Sequence, residues 1–344
     1  LDDGATIDAV LIATPDHWHA PLCRAFLLAG KHIYCEKPLA HSVAEARELR
    51  ALARTSKVVT QMGNQGSASA SVRRCVEVIQ AGALGKVREI YQWGIYCAPP
   101  REGIPAGEDP IPAGFNWDLW VGPSALRPFK KDTYHPKNWR GWFDFGNGSL
   151  ADFWCHAANL PVRALDLGYP ERLVWKPRGY EVAVEFHFPA RGALPPVTLF
   201  WNTPPPAAAL APVVEVQKDK EGGVLILGES GCIYTDHWGG SGLIRLAGEP
   251  RLKDILRHPA TKEIPQSLPR VRGHSGEWLD AIQGEGKTFS DFEVGGRLTE
   301  IGLAGVVAIR AGKNLEWDGD KMEAQNAPEA ARFIHAEYRK KWLV

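Results

Sequence analysis

The chain has 344 residues, more than one ordinary core serves and enough for two domains. Hydrophobic residues make up 44% and charged residues 23%, the balance of an ordinary globular protein. Lys plus Arg and Asp plus Glu number 40 each, so no global field favours nucleic acid or an anionic membrane, and no apolar run reaches the roughly 18 residues of a spanning helix.

Ile7 to Ala13 is a near-continuous apolar run and predicts a strand buried on both faces of a parallel sheet. Pro21 to Ala29 predicts a helix closed by Gly30, and His32 to Cys35 a second strand. Ser42-Val43-Ala44-Glu45 is a capping box that opens a helix running to about Arg54. Val58 to Met62 predicts a third strand, Ser71 to Ala81 a helix ended by Gly82, and Val87 to Tyr96 a fourth strand. This alternation predicts an α/β fold with a doubly wound parallel sheet over residues 1–96.

After Cys97 the texture changes. Residues 98–140 are rich in Pro, Gly and aromatics and read as a long ordered excursion. Tyr180 to Phe188 alternates strictly, with Tyr180, Val182, Val184, Phe186 and Phe188 on one face, as a half-buried antiparallel strand does. Val197–Trp201 and Val213–Val216 look similar, and Val224–Leu227 is a buried run. Glu277–Gln283 and Leu298–Ala311 predict helices. Residues 97–325 are therefore expected to form an α/β domain with a large open, mainly antiparallel sheet, and 326–344 a helical tail. Six cysteines, at 23, 35, 75, 97, 155 and 232, form no C-x-x-C pair and are expected to be buried reduced thiols.

Ligands of a doubly wound sheet lie at the carboxyl ends of its strands. The first three strands end in Thr14-Pro15-Asp16-His17-Trp18-His19, in Glu36-Lys37-Pro38 and in Gln61-Met62-Gly63-Asn64-Gln65, all rich in polar or titratable groups. A lysine at such an end is suited to proton exchange, with Glu36 placed to orient Lys37. Asp152 and His156 stand four apart, on one face of a predicted helix, where a carboxylate can steady an imidazole base. Residues 115–154 hold eleven aromatics where the chain's 10% predicts four. Most of these suit loop packing, while Tyr134, His135, Trp139 and Arg140 are the ones expected near a ligand, since indole faces stack on sugar C–H faces. Gly146-Asn147-Gly148-Ser149-Leu150-Ala151 fits G-x-G-x-x-A but follows a poor strand, so it is not read as a dinucleotide fingerprint. Asp16, His17 and His19 lack metal-ligand spacing, and no metal is expected.

Together, Thr14 to His19, Glu36-Lys37-Pro38, Gln61 to Gln65, Asn138-Trp139-Arg140-Gly141-Trp142 and Asp152-x-x-x-His156 resemble the Gfo/Idh/MocA family (glucose–fructose oxidoreductase, inositol dehydrogenase and relatives). Phe188 to Gly192 and Leu315 to Gly319 resemble a bacterial subgroup of it. The resemblance implies an N-terminal Rossmann domain and a C-terminal α/β domain whose open sheet builds homodimers or homotetramers. It implies NAD or NADP lying across Thr14, Pro15, His17, His19, Glu36, Lys37, Gln65 and Arg140. It implies Lys37, Asp152 and His156 as the catalytic group, with Tyr134, His135, Trp139 and Arg140 joining them at the substrate. The family's opening βαβ unit with G-x-G-x-x-G is not in these residues, and with Leu1 leading straight into a strand, a longer natural chain is the expectation. The site expected is cytoplasmic, or periplasmic if an upstream signal directs export.

The main expectation is thus an NAD(P)-dependent oxidoreductase of a sugar or polyol. Two alternatives use the same resemblance: a glycosidase-type enzyme that oxidises its sugar only transiently, and a non-catalytic homologue that binds or supports. Intact Lys37, Asp152 and His156 weigh against the last.

Overall fold

The computed structural model describes residues 6–178, 181–215 and 222–342. Three parallel strands, β1 (Ala9–Ile12), β2 (His32–Glu36) and β3 (Thr60–Gly63), lie side by side in chain order. Helices α1 (His19–Leu28), α2 (Val43–Thr55) and α3 (Ala70–Gln80) follow them in turn. Each begins or ends where its sequence says. Ser42 and Glu45 make the reciprocal capping box of α2, and Gly30 and Gly82, both at positive φ, close α1 and α3.

Strand β4 (Val87–Trp93) corrects one expectation. It does not extend the parallel sheet but enters a second sheet, parallel to β7 (Val197–Trp201) and antiparallel to β8 (Gly223–Gly228). A buried apolar strand carries no mark of which sheet it joins, and the passage between the sheets falls at the Gly82–Gly85 turn. The second sheet also takes in β5 (Arg172–Arg178), β6 (Glu181–Phe188), β9 (Gly231–Thr235), β10 (Leu243–Leu246), β11 (Lys253–Asp254), β12 (Leu315–Asp318) and β13 (Glu323–Ala324). Its order is β11-β10-β9-β8-β4-β7-β6-β5-β12-β13, and β4–β7 is its one parallel pair among the described residues. Tyr180 lies outside the described residues, but Val184, Phe186 and Phe188 are buried on one face of β6 as the alternation predicts.

The remaining helices are α4 (Trp117–Val121), α5 (Gly148–Ala157), α6 (Asn159–Ala164), α7 (Ala207–Val214), α8 (His274–Ile282) and α9 (Phe292–Ala311). The expected strand at Val213–Val216 is instead the end of α7, since the alanines before it favour helix; Val216 lies outside the described residues. α5 and α9 cover the inner face of the large sheet: the Trp154 ring of α5 lies 4.3 Å from that of Phe186, and its indole N–H donates to the Leu298 carbonyl of α9. The tail is not an α-helix. It holds two 3-10 turns, Pro328–Phe333 and Lys340–Trp342, and straps back over α2 and α4: Ala44 N–H donates to the Ile334 carbonyl, and Arg339 pairs with Asp118 at 2.6 Å. Five cysteines are buried and free as expected, but Cys97 is free and exposed. No described helix is long and apolar enough to cross a membrane.

Candidate active site

Lys37 leaves the end of β2 and Asp152 sits on the second turn of α5, so the site is assembled from both sheets. Lys37 Nζ donates to Asp152 Oδ1 at 2.5 Å and to the Asp152 carbonyl at 2.6 Å, with side-chain exposures of only 15% and 13%. A charge-assisted bond at that burial is worth more than a surface pair, because water screens it less. On the other carboxylate oxygen, Arg140 Nε and Cys97 Sγ each lie 3.6 Å away. The cation of Lys37 also stands 5.5 Å from the Phe153 ring.

His156, one turn beyond Asp152, is only 4% exposed, and neither ring nitrogen has a partner. The predicted pairing of Asp152 with His156 is therefore not made; Lys37 takes the carboxylate. Burial, and next the charge of Lys37, push the imidazole down to about 3, against the pull of Asp152. His156 is thus a neutral, desolvated group with two unused hydrogen-bonding positions. The Trp238 ring, 57% exposed, stands 5.0 Å from it and 5.2 Å from Phe153, forming a wall of the cleft. Asp16 is buried close by. Burial, then the charge of Asp152, hold its carboxyl well above the usual range.

His19 positions the lysine loop. Its Nδ1 lies 2.7 Å from the Pro38 carbonyl and its Nε2 2.9 Å from the Thr14 carbonyl, bridging the ends of β1 and β2. Burial lowers its pKa, so the ring is neutral and one of the two contacts is the donated bond. Glu36 makes no side-chain bond to the Lys37 ammonium, although its carboxylate accepts from the Lys37 backbone and feels the lysine charge. Its carboxylate accepts from Gln65 Nε2 at 3.0 Å, and the same amide donates to Tyr34 at 3.1 Å. Thr14 Oγ1 is buried without a partner, as is Asn64 Oδ1 at the end of β3. Orphaned polar atoms at two of the three parallel-strand ends are what a polar ligand in that crevice would satisfy.

A model of the Gfo/Idh/MocA oxidoreductase family's NAD-binding Rossmann fold matches residues 1–64, and a model of its C-terminal alpha/beta domain matches residues 79–166. Both matched segments are thus similar to domains of the Gfo/Idh/MocA oxidoreductase family. An oxidoreductase of Bacillus subtilis, YfiI, is 33% identical over 115 residues, 31% of this chain and 29% of its own length. The levoglucosan dehydrogenase of Pseudarthrobacter phenanthrenivorans is 34% identical over 85 residues, 25% of this chain and 22% of its own. The chain thus spans under a third of the length of these curated relatives. The WlbA dehydrogenase of Bordetella pertussis, solved with NADH and UDP-GlcNAcA, shares the fold at a TM-score of 0.57 and 16% identity, over 92% of this chain and 81% of that one.

Within this Gfo/Idh/MocA fold, the predicted site residues divide. Lys37, Asp152, His156 and Arg140 converge; Thr14, Glu36 and Gln65 lie at the strand ends beside them. Pro15 opens the 3-10 turn that carries Asp16 into the site. His17 is placed elsewhere. It is buried among Trp120 and Phe145, and its nitrogens face their carbonyls at 3.2 and 3.3 Å; burial holds it at about 3, and it offers no free polar atom. Tyr134, only 1% exposed, and Trp139 are buried in an aromatic core with Trp117, Phe129, Trp142 and Phe145, so they are not ligand-facing. His135 is exposed but packs against Phe115 and Trp120 on the outside of that core. Loop packing accounts for most of the aromatic density. The rejected Gly146–Ala151 match stands on no strand, only on the turn that enters α5. Sequence reasoning missed Cys97 and Trp238. Trp238 arrives on the β9–β10 connection, more than eighty residues from His156, with no motif around it.

Proposed function

We propose that the protein moves a hydride between NAD or NADP and a hydroxyl-bearing carbon of a sugar or polyol. One observation carries the reading: Lys37, delivered from the end of a parallel strand, is bonded to Asp152, and one turn along the same helix His156 is buried with both ring nitrogens unpartnered. The exposed Trp238 face beside it offers a stacking surface for a sugar ring.

The nicotinamide cofactor, when bound, supplies the hydride acceptor or donor. Thr14, Glu36 and Gln65 are the residues here that would hold it, and the orphaned Thr14 hydroxyl fits that task. An ammonium has three N–H donors, and Lys37 gives two of its three to Asp152. The third is left for the substrate oxygen. It stabilises the negative charge that gathers there as hydride leaves carbon, and so acidifies the hydroxyl. His156, kept neutral, accepts that proton; in the reductive direction it returns it. Asp152 acts through Lys37, fixing its position and charge, rather than through the imidazole. Arg140, beside the second oxygen of Asp152, borders the same cleft.

The homo-oligomer belongs to the same reading, built on the sheet face that carries the Tyr91–Phe200 stack, opposite α5 and α9. The test is a screen of neutral sugars, anhydrosugars and polyols with NAD⁺ and NADP⁺, following formation of the reduced nicotinamide. Reduction by the wild type and not by Lys37→Met is expected. If the protein binds neither nucleotide in equilibrium titration and reduces neither with any substrate, the proposal fails.

A further inference from the structure

Away from Lys37, Asp152 and His156 lies a cavity of about 410 Å³, closed on one side by the C-terminal strap. That size suits a small metabolite. Its lining carries three arginines, Arg310, Arg332 and Arg339, and three acids, Glu45, Asp144 and Glu337. Arg310, from the last turn of α9, and Arg332, from the strap, pack on the same Phe333 ring, 4.3 and 4.6 Å from its centroid. Two like charges on one ring repel unless something between them answers the charge.

The protein answers it only in part. Arg310 Nε is buried without an acceptor, and its guanidinium reaches only Glu102, at 3.3 Å. Burial, with Arg332 adding to it, holds Arg310 below its ordinary pKa in spite of Glu102 and Asp144. Arg332 makes no hydrogen bond or contact ion pair among the described residues, although its charge helps to lower the Glu329 carboxyl. The acids in the lining are otherwise engaged: Glu45 by the cap of α2 and by Tyr338, and Asp144 by Arg127 at 2.5 Å. Glu337 is exposed to solvent. The third arginine, Arg339, is satisfied by Asp118 and the Gly122 carbonyl.

We propose that this cavity binds a small metabolite through an oxyanion, phosphate or carboxylate, held between Arg310 and Arg332. Guanidinium forks match both groups in geometry. The occupant would touch both loops that carry the catalytic residues. Asn147, at the entry to α5, lines the cavity and donates to the His41 carbonyl at 2.9 Å, four residues after Lys37. The His41 ring, also in the lining, stands 3.4 Å from the Gly146 carbonyl.

The experiment is a thermal-shift titration with inorganic phosphate and, separately, with malonate, each against chloride at equal ionic strength. The proteins are the wild type, Arg332→Gln and Arg332→Lys. Arg332 is exposed on the strap, so its variants should fold, and their ligand-free Tm reports whether they do. A saturable rise in Tm is expected for the wild type, with the apparent Kd weakened about tenfold in Arg332→Gln and partly restored in Arg332→Lys. Phosphate alone responding identifies a phosphoryl ligand, and malonate alone a carboxylate. If neither ion exceeds chloride, or if Arg332→Gln responds as the wild type does, the site is overturned.

Discussion

Lys37 and His156 differ in how they are held, and the difference sets separate expectations. Lys37 is locked by two short bonds to Asp152, so Lys37→Met removes the group that polarises the substrate oxygen without opening a core. Turnover should vanish while the circular dichroism spectrum stays as it was; normal turnover in this variant would remove the mechanism. His156→Ala should cost about 10²-fold or more in kcat, the usual scale for a lost acid–base group. The pH dependence follows from the neutral ring. A histidine at its ordinary pKa of about 6.5 would switch off the base as pH falls through that value. Here burial and Lys37 depress the pKa to about 3, so the acceptor form persists as pH falls through 6.5 and is lost only nearer 3. The profile of kcat/KM should therefore show no acidic limb centred near 6.5. A limb there that disappears in His156→Gln would show the ring to be ordinary and the assignment of its environment wrong.

At the scale of elements, α5 is aimed by α9, and glycine makes the approach close. A Cβ on Gly302 would lie 2.6 Å from the Trp154 ring, and one on Gly305 would lie 2.5 Å from the Phe186 ring. Gly302→Val should gain some helix propensity, under about 1 kcal/mol, but overpacking costs about 1–3 kcal/mol. The overpacking wins. Tm should fall, and turnover should fall with it because Asp152 and His156 ride on the displaced helix. An unchanged Tm would mean that α9 can move aside. These elements also show what sequence could reveal. The Ser42–Glu45 cap, the Gly30 and Gly82 ends and the alternation of β6 are local signals, and they were legible as such. The sheet that β4 joins and the Trp238 wall are products of long-range pairing, which leave no local mark. The site divides the same way. Strand-end position singled out Lys37, and i,i+4 spacing singled out Asp152 and His156. Which of them bond depends on the approach of two sheets, and there the carboxylate went to Lys37. Tyr134 and Trp139 misled because aromatic density fits a second core as well as a sugar site.

The whole molecule depends on how its two sheets are clamped, since the site draws Lys37 from one side and Asp152 from the other. The clamp is the seam between α2 and α9. Glu300, on α9, accepts from Arg47 Nε at 3.0 Å, Arg50 Nη1 at 2.9 Å and the Tyr169 hydroxyl at 3.1 Å. Arg50 continues to Glu293 at 2.6 Å, which Arg54 also contacts at 2.7 Å. Burial opposes ionisation of Glu293, yet the bonds from Arg54 and Arg50 hold it at about 2. Arg50 and Glu300 are themselves buried, so this is not a screened surface set. Removing one partner of a buried pair leaves the other charge uncompensated, which typically costs about 3–5 kcal/mol, more than the intact pair contributes. Glu300→Ala takes a carboxylate from both Arg47 and Arg50, and although Arg50 keeps Glu293 and Arg47 keeps the Asp320 carbonyl, it should lower stability by up to about 3 kcal/mol. Glu300→Gln keeps an acceptor for one of them and should lose less. Urea unfolding of the two variants beside the wild type decides the matter. A loss below about 1 kcal/mol in Glu300→Ala would mean that water reaches the seam and answers the charges there. A transition that splits in two would mean that the seam is what makes the sheets unfold together, and turnover should then fall before the first half melts, as Lys37 and Asp152 drift apart.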